Sequence, residues 1–257
     1  LTIKGNIKEG VYTTQGRYTL AGIHIYNGKN IIIEKIKVCE WHTDGISLQT
    51  GNNCVVRDCE IINCLGNGLH PGTGLKNCIF ENNKIFENGQ GIYFCWHNEG
   101  HKIRNNEIGR NKTHGIGGLG NPGDINNLIE GNHIFENGSA GIEINGGKKS
   151  NNVIVNNVIE NNSKSQPGKF PGIMLYASTE DAMKYTIKWN KIRDTQNEKT
   201  QYIGIEEKNG IYRDKPTYAD FNIIEENELS GHLKGDIIIV GKNTICRNNK
   251  ADKIIFS

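Results

Sequence analysis

A glycine followed by Ile or Leu, and then by alternating residues, recurs at Gly22, Gly45, Gly68, Gly91, Gly115, Gly141, Gly172 and Gly204, with a weaker copy at Gly235. Successive copies stand 23, 23, 23, 24, 26, 31, 32 and 31 residues apart. A period of this length marks a solenoid, in which each short unit cannot bury its apolar face alone and stacks on its neighbours. The repeat fills the 257 residues from end to end, so residues 1–257 are read as one domain.

Each repeat divides into three short runs. In the copy around Gly91, residues 77–82 form one strand, Asn83 a corner, residues 84–87 a second strand, residues 88–90 a turn and residues 91–95 a third strand. The apolar residues are mainly Ile, Val, Leu and Phe at period two, which is strand chemistry, and no helical period intervenes. Three strands per turn predict an all-β, single-stranded, right-handed parallel β-helix of about nine turns, the hand following the rule for parallel crossovers.

The corners make this specific. Ile36, Cys59, Asn83, Asn106, Asn132, Asn157, Asn190, Asn227 and Asn249 fall in one column, and Cys64, Asn88, Asn111, Asn137 and Asn162 in a second. Amides stacked one strand spacing apart, about 4.8 Å, hydrogen-bond along the column as an Asn ladder, and asparagine tolerates the left-handed backbone of a sharp corner.

Composition excludes some classes of function. The formal net charge is +2 with no basic run, which argues against a nucleic-acid partner. No apolar run approaches the roughly 18 residues of a membrane span. The chain opens on Leu1 inside a strand-like run, so a leader or N-terminal cap is expected to be missing, and the raw coil edges call for a partner subunit, a homo-oligomer or further domains as caps. The seven cysteines match no zinc spacing and read mostly as small buried fillers, although Cys54 and Cys78 lie at matching places where a disulfide is sterically conceivable.

Insertions point to the functional face. Later turns grow through residues 117–124, 163–171, 195–202 and 208–220, always beside the Gly-Ile strand and never at the Asn corner. Loops on a rigid scaffold commonly carry function, so the Gly-Ile strands are expected to floor a groove. If Ile points in, the outward residues form one column of His24, Ser47, His70, Tyr93, Gly117, Glu143, Met174 and Glu206. A second contains Tyr26, Gln49, Gly72, Cys95, Leu119, Asn145, Tyr176 and Lys208, while His42, Asp44, His97, His101 and His114 lie near the strand ends.

Glycines at 117, 118 and 120 remove side chains between Tyr93 and Glu143, leaving a gap of about 10 Å for a sugar ring. His, Tyr and acid concentrated there suit proton transfer to and from a sugar. The catalytic candidates are therefore His70, Tyr93, His97 and Glu143. Candidates for substrate contact are His24, His42, Asp44, Gln49, His114, Asn145, Tyr176, Glu206 and Lys208. Glu143 and Glu206 offer too few oxygens for a calcium site, so no metal or cofactor is expected.

The ladder turns and Gly-Ile strands, such as NNCVVRDCEIINCLGNGLHPGTG and NLIEGNHIFENGSAGIEINGG, resemble the right-handed β-helix superfamily of pectate lyases, polysaccharide epimerases and NosD-like carbohydrate-binding repeats. More narrowly, Gly68-Leu69-His70-Pro71-Gly72 is similar to the strand of mannuronan C5-epimerases that carries Asp-Pro-His, with His70 in place of Asp and Gly72 in place of His. The resemblance implies a lyase or C5-epimerase acting on an acidic, uronate-containing polysaccharide or oligosaccharide, outside the cell or at its surface. Two alternatives stand beside it: a non-catalytic glycan-binding rod, and an inverting hydrolase using Glu143 and Glu206, whose spacing of about 10 Å lies marginally outside the inverting range.

Overall fold

The computed structural model describes residues 1–6 and 21–257. Among these residues, three parallel sheets run along the coil, each taking one strand from successive turns. The corner sheet of nine strands runs from Thr2–Lys4 through Lys37–Cys39 and Lys84–Phe86 to Glu228–Ser230. A second sheet of nine runs from Ile32–Glu34 to Ile245–Arg247. The floor sheet runs from Ile23–Lys29 through Asn67–Pro71, Gln90–Tyr93 and Ile142–Ile144 to Ile254–Phe256. This is the right-handed parallel β-helix expected from the repeat.

Alternation builds the core directly. The central residue of each corner strand points inward, so Ile61, Ile85, Ile108, Ile134, Ile159 and Ile192 stack in one fully buried column. The leading Ile or Leu of the floor strands does the same from Ile46 and Leu69 to Ile205 and Ile237. Burying each such side chain contributes about 1.5–3 kcal/mol, and adjacent turns share the gain because each side chain is covered from both sides.

Both amide columns form as hydrogen-bonded ladders. Asn83 Nδ2 donates to Asn106 Oδ1 at 3.0 Å, and the relay continues through Asn132, Asn157, Asn190 and Asn227 to Asn249. The second passes from Asn88 through Asn111 and Asn137 to Asn162, and then to Gln201. Each Oδ1 of the first column also accepts the backbone N–H of the residue one turn below, so the side chain replaces the bond a corner would otherwise lose. The left-handed residue is the one before the ladder amide. Asp58, Asn82, Asn105, Asn156, Trp189 and Asn248 all have φ of 54–56°, leaving the ladder side chain to point inward.

Two sequence-based expectations are corrected. Gly118, at φ 71°, forms a bulge that shifts register between Ile116 and Leu119, and Leu119 points into the core instead of out into the groove. His101 is fully buried and belongs to a further column, its Nδ1 accepting Cys78 N–H at 3.1 Å and its own N–H donating to Asn127 Oδ1 at 2.9 Å. Cys54 and Cys78 are free thiols, with Cys54 N–H donating to Cys78 Sγ at 3.3 Å. The stacked sulfurs are a ladder rung, the place an amide takes in later turns.

Replacing Asn132 with Ala removes the acceptor of both Asn106 N–H and Asn106 Nδ2 inside the core. Two stranded donors predict a loss of about 2–4 kcal/mol in urea unfolding followed by circular dichroism, against no more than about 0.5 kcal/mol for Glu107→Gln on the exposed face.

Candidate functional site

Register sets the floor. His24, Ser47 and His70 are paired across three consecutive strands, and pairing of Leu69 with Ile92 puts His70 beside Tyr93. Their rings meet edge to face with centroids 5.5 Å apart. Asp44, in the turn before the preceding floor strand, reaches under this pair. Its Oδ1 accepts both Asn67 N–H and Asn67 Nδ2 at 2.9 Å, which fixes the carboxylate, and its Oδ2 accepts His70 Nδ1–H at 2.6 Å.

The pair is buried, with His70 1% and Asp44 5% exposed. Burial lowers the His70 pKa, but the hydrogen bond to Asp44 and the charges of Asp44 and Cys95 more than offset it and raise it to about 9. His70 is therefore an imidazolium at neutral pH. Cys95 stands next to the pair, its half-buried thiol accepting Thr73 Oγ1–H at 3.1 Å. Burial raises the thiol pKa, yet the nearby His70 and the Thr73 hydroxyl bring it below its ordinary value. Gln49 closes the edge, bonding Ser47 Oγ at 2.9 Å and Thr73 N–H at 3.2 Å, and occupying the space a side chain at Gly72 would need.

A second constellation lies further along the floor. His114 Nε2 is 3.3 Å from Glu143 Oε1, and Phe170 from the 163–171 insertion packs edge-on against the imidazole at 5.9 Å. Burial lowers the His114 pKa against the pull of Glu143. Further still, Lys208 Nζ sits 4.9 Å over the Tyr176 ring. Glu206, its pKa raised by burial, is separated from Glu143 by Met174 on the intervening strand.

The structure thus brings Asp44, His70, Tyr93 and Gln49 into one cluster and His114 with Glu143 into another. His97 is exposed beside Gly123, Asn145 uses its backbone carbonyl to hold Ser178 and Thr179, and His24 and His42 lie half-buried at the N-terminal end of the floor. The expected gap at the glycines is filled from neighbouring turns: side chains of Gln90 and Tyr93 occupy the space over Gly117 and Gly118. Sequence reasoning does not single out Cys95 and Thr73 as site residues, and the two meet at the edge of the cluster. Cys95 stands beside Gly72 in the second outward column, and that placement was the available signal.

Among the described residues, no group of three or more His, Cys, Asp and Glu side chains is placed to hold a metal ion. No helix among them is long and apolar enough to cross a membrane.

The fold and site define a right-handed parallel β-helix with a buried ionic cluster on one sheet. The chain belongs to the right handed beta helix region family, whose model matches residues 21–192. No curated protein matches the chain at a significant level. Among solved structures, it is similar to the A-module of the Azotobacter vinelandii mannuronan C-5 epimerase AlgE6, at TM-score 0.67 and 17% identity, over 100% of this chain and 72% of that one. The periplasmic alginate epimerase AlgG matches at TM-score 0.66 and 16% identity, over 88% of this chain and 50% of that one. The catalytic domain of a GH87 alpha-1,3-glucanase in complex with nigerose matches at TM-score 0.67 and 12% identity, over 91% of this chain and 47% of that one. For AlgG and the glucanase, the chain spans about half of the matched protein. At these identities the likeness is one of fold.

The titrations give a signed prediction. A His70 pKa raised from 6.5 to about 9 stabilises the fold fully below about 6.5 and loses that contribution as pH rises through 9. Asp124, raised from 3.8 to about 8 chiefly by burial, destabilises the fold as pH rises from 3.8 to about 8, because only the unfolded chain gives up the proton there. His101, lowered by burial to about 3, destabilises the fold as pH falls below 6.5, because only the unfolded chain takes the proton there. The melting temperature is therefore expected to fall between pH 6.5 and 9, and Asp44→Asn, which removes the carboxylate that holds the proton on His70, is expected to flatten the His70 part of that slope.

Proposed function

We propose that this chain is a carbohydrate-active enzyme that abstracts the proton alpha to the carboxyl group of a uronate in an acidic polysaccharide, as a lyase or a C5-epimerase. The observation that carries the reading is the buried Asp44–His70 pair held directly against Tyr93. Tyr93 is half-buried on the floor, so its phenol is the group of the pair that meets a sugar, while His70 is enclosed. Tyr93, with the charged His70 against its ring, is the group placed to take the sugar C5 proton.

His70 then acts through Tyr93 as a positioning residue, a change from direct proton transfer. Return of the proton to the opposite face gives the epimer, and departure of the group at C4 gives the unsaturated lyase product. Lys208, over Tyr176, offers a cation for another uronate carboxylate, and His114 with Glu143 lines the floor between the two. The fold shared with alginate epimerases supports the substrate class, and the fold shared with a glucanase shows why the site must carry the argument.

The test is incubation with alginate, pectate and glycosaminoglycans, followed by ultraviolet absorbance of unsaturated uronates and by proton NMR of the anomeric region. Tyr93→Phe is expected to lower kcat by about 10²-fold or more. His70→Gln is expected to lower kcat more than it raises KM and to shift the pH profile. Reducing ends without a double bond, lost in Glu143→Gln and Glu206→Gln, would replace this reading with the hydrolase, and glycan binding without turnover would replace it with the binding rod.

A further inference from the structure

One diagonal contact recurs along the floor. Asp44, Asn67, Gln90 and His114 each stand two residues before the apolar residue that leads a floor strand, namely Ile46, Leu69, Ile92 and Ile116. From that position a side chain reaches the outward residue of the next strand. Asp44 meets His70 at 2.6 Å, and His114 meets Glu143 at 3.3 Å. Gln90 reaches in the same direction and finds Gly117, which has no side chain to offer.

Its amide is left without a partner. Gln90 Nε2 is enclosed and makes no hydrogen bond, and Oε1 has only Thr113 Oγ1 at 3.5 Å. An enclosed N–H without an acceptor is costly, and native structures keep few of them. The side chain as a whole is half-buried, and its nitrogen forfeits no bond when it turns outward. The spot that a Cβ on Gly117 would take lies 2.0 Å from Gln90 Nε2 and 3.3 Å from Glu143 Oε2. Tyr93 is paired with Gly117 on one side, and the strand of Glu143 follows on the other.

Turning Gln90 outward therefore reopens the space between Tyr93 and Glu143, with a donor at one edge and an acceptor at the other. A hydroxyl satisfies both, since it accepts from the amide and donates to the carboxylate. A ligand carboxylate would meet Glu143 with like charge, and an ester oxygen has no proton to give.

We propose that Gln90 and Glu143 form a specificity subsite that reads one free ring hydroxyl of the sugar beside Tyr93, with Gln90 swinging off Gly117 as the hydroxyl enters. This subsite rests on the reading of Tyr93 as the group that meets the sugar. It narrows the substrate class to uronates unsubstituted at that hydroxyl, and rejects their O-acetylated forms.

Saturated tetramers of mannuronate and of galacturonate, each untreated and O-acetylated, are titrated into isotope-labelled Tyr93→Phe protein. Binding is followed by calorimetry and by the side-chain amide resonance of Gln90, assigned by its loss in Gln90→Met. The resonance is expected to shift on saturation with an untreated tetramer, and the O-acetylated form to bind about tenfold more weakly. Gln90→Met is expected to weaken binding of the untreated tetramer by about 3- to 10-fold and to narrow its advantage over the acetylated one. Gly117 lies outside the left-handed region, so Gly117→Ser can supply the missing partner from within the chain and is expected to weaken binding likewise. In turnover by the chain with Tyr93 intact, Gln90→Met is expected to raise KM by the same factor with kcat held within about twofold. An unmoved resonance, no binding of either tetramer, or equal affinity with and without Gln90 or the acetyl groups would overturn the proposal. A shifted resonance without turnover in the wild type would sink the catalytic reading alone, whereas turnover that depends on Tyr93 with an unmoved resonance would sink the subsite alone.

Discussion

The turn-to-turn hydrogen bond of a buried amide is the interaction on which the rest of the molecule depends. Each ladder Oδ1 takes a backbone N–H and a side-chain N–H from the turn below, while its own Nδ2 serves the turn above and a carbonyl beneath. An unpaired donor in that interior is costly, so a turn can neither slip nor omit its rung without stranding polar groups. Because the side-chain period of a strand is two, a one-residue slip would exchange inside and outside over the whole turn. The ladders therefore determine which side chains line up on the floor sheet 23 residues apart, and the contact of His70 with Tyr93 follows from that register.

The same constraint explains where the chain has grown. An insertion at the Asn83–Asn106–Asn132 corner would separate an amide from its partner, whereas an insertion beside a floor strand lengthens a connection without touching a rung. The 163–171 insertion lies on that side and brings Phe170 against His114, and the antiparallel hairpin of Gly210–Tyr212 with Lys215–Thr217 follows directly on the strand that carries Lys208. Long segments thus accumulate around one face while the opposite corners stay short, which gives a rod a defined working side.

The fold was legible because repetition averages out local ambiguity: one strand of three residues says little, but nine aligned copies fix the period and both amide columns. The site was legible in part. His70 and Tyr93 fell out of the alignment of outward residues, whereas Asp44 was assigned to substrate because its path under the floor depends on turn geometry and on the Asn67 bonds, which no spacing encodes. Leu119 was misplaced because a single glycine in a left-handed conformation reverses the alternation. His101 was misread by residue type, although its alignment with Cys54, Cys78, Asn127 and Asn152 places it among the rungs. In a ladder protein, column membership outranks chemical type.

That rule also separates two buried His–Asp pairs that look alike. His232 Nδ1 lies 2.7 Å from Asp236 Oδ1, and both are enclosed. Yet His232 touches the position of Gly204 as Gln201 touches that of Gly172 and Asn162 that of Gly141, so it extends the second ladder column by one turn, and the Asp236 Oδ2 ties down the N–H groups of Asp252 and Lys253. Its presence is accounted for by architecture. His70 stands on the outward side of the floor, in register with Ser47 and beside Tyr93, where no rung is required. A buried ion pair there costs desolvation that an apolar pair of similar volume would avoid, and it completes no ladder that a neutral side chain would break. What architecture leaves unexplained is its position against the Tyr93 ring, the contact on which the proposed chemistry rests.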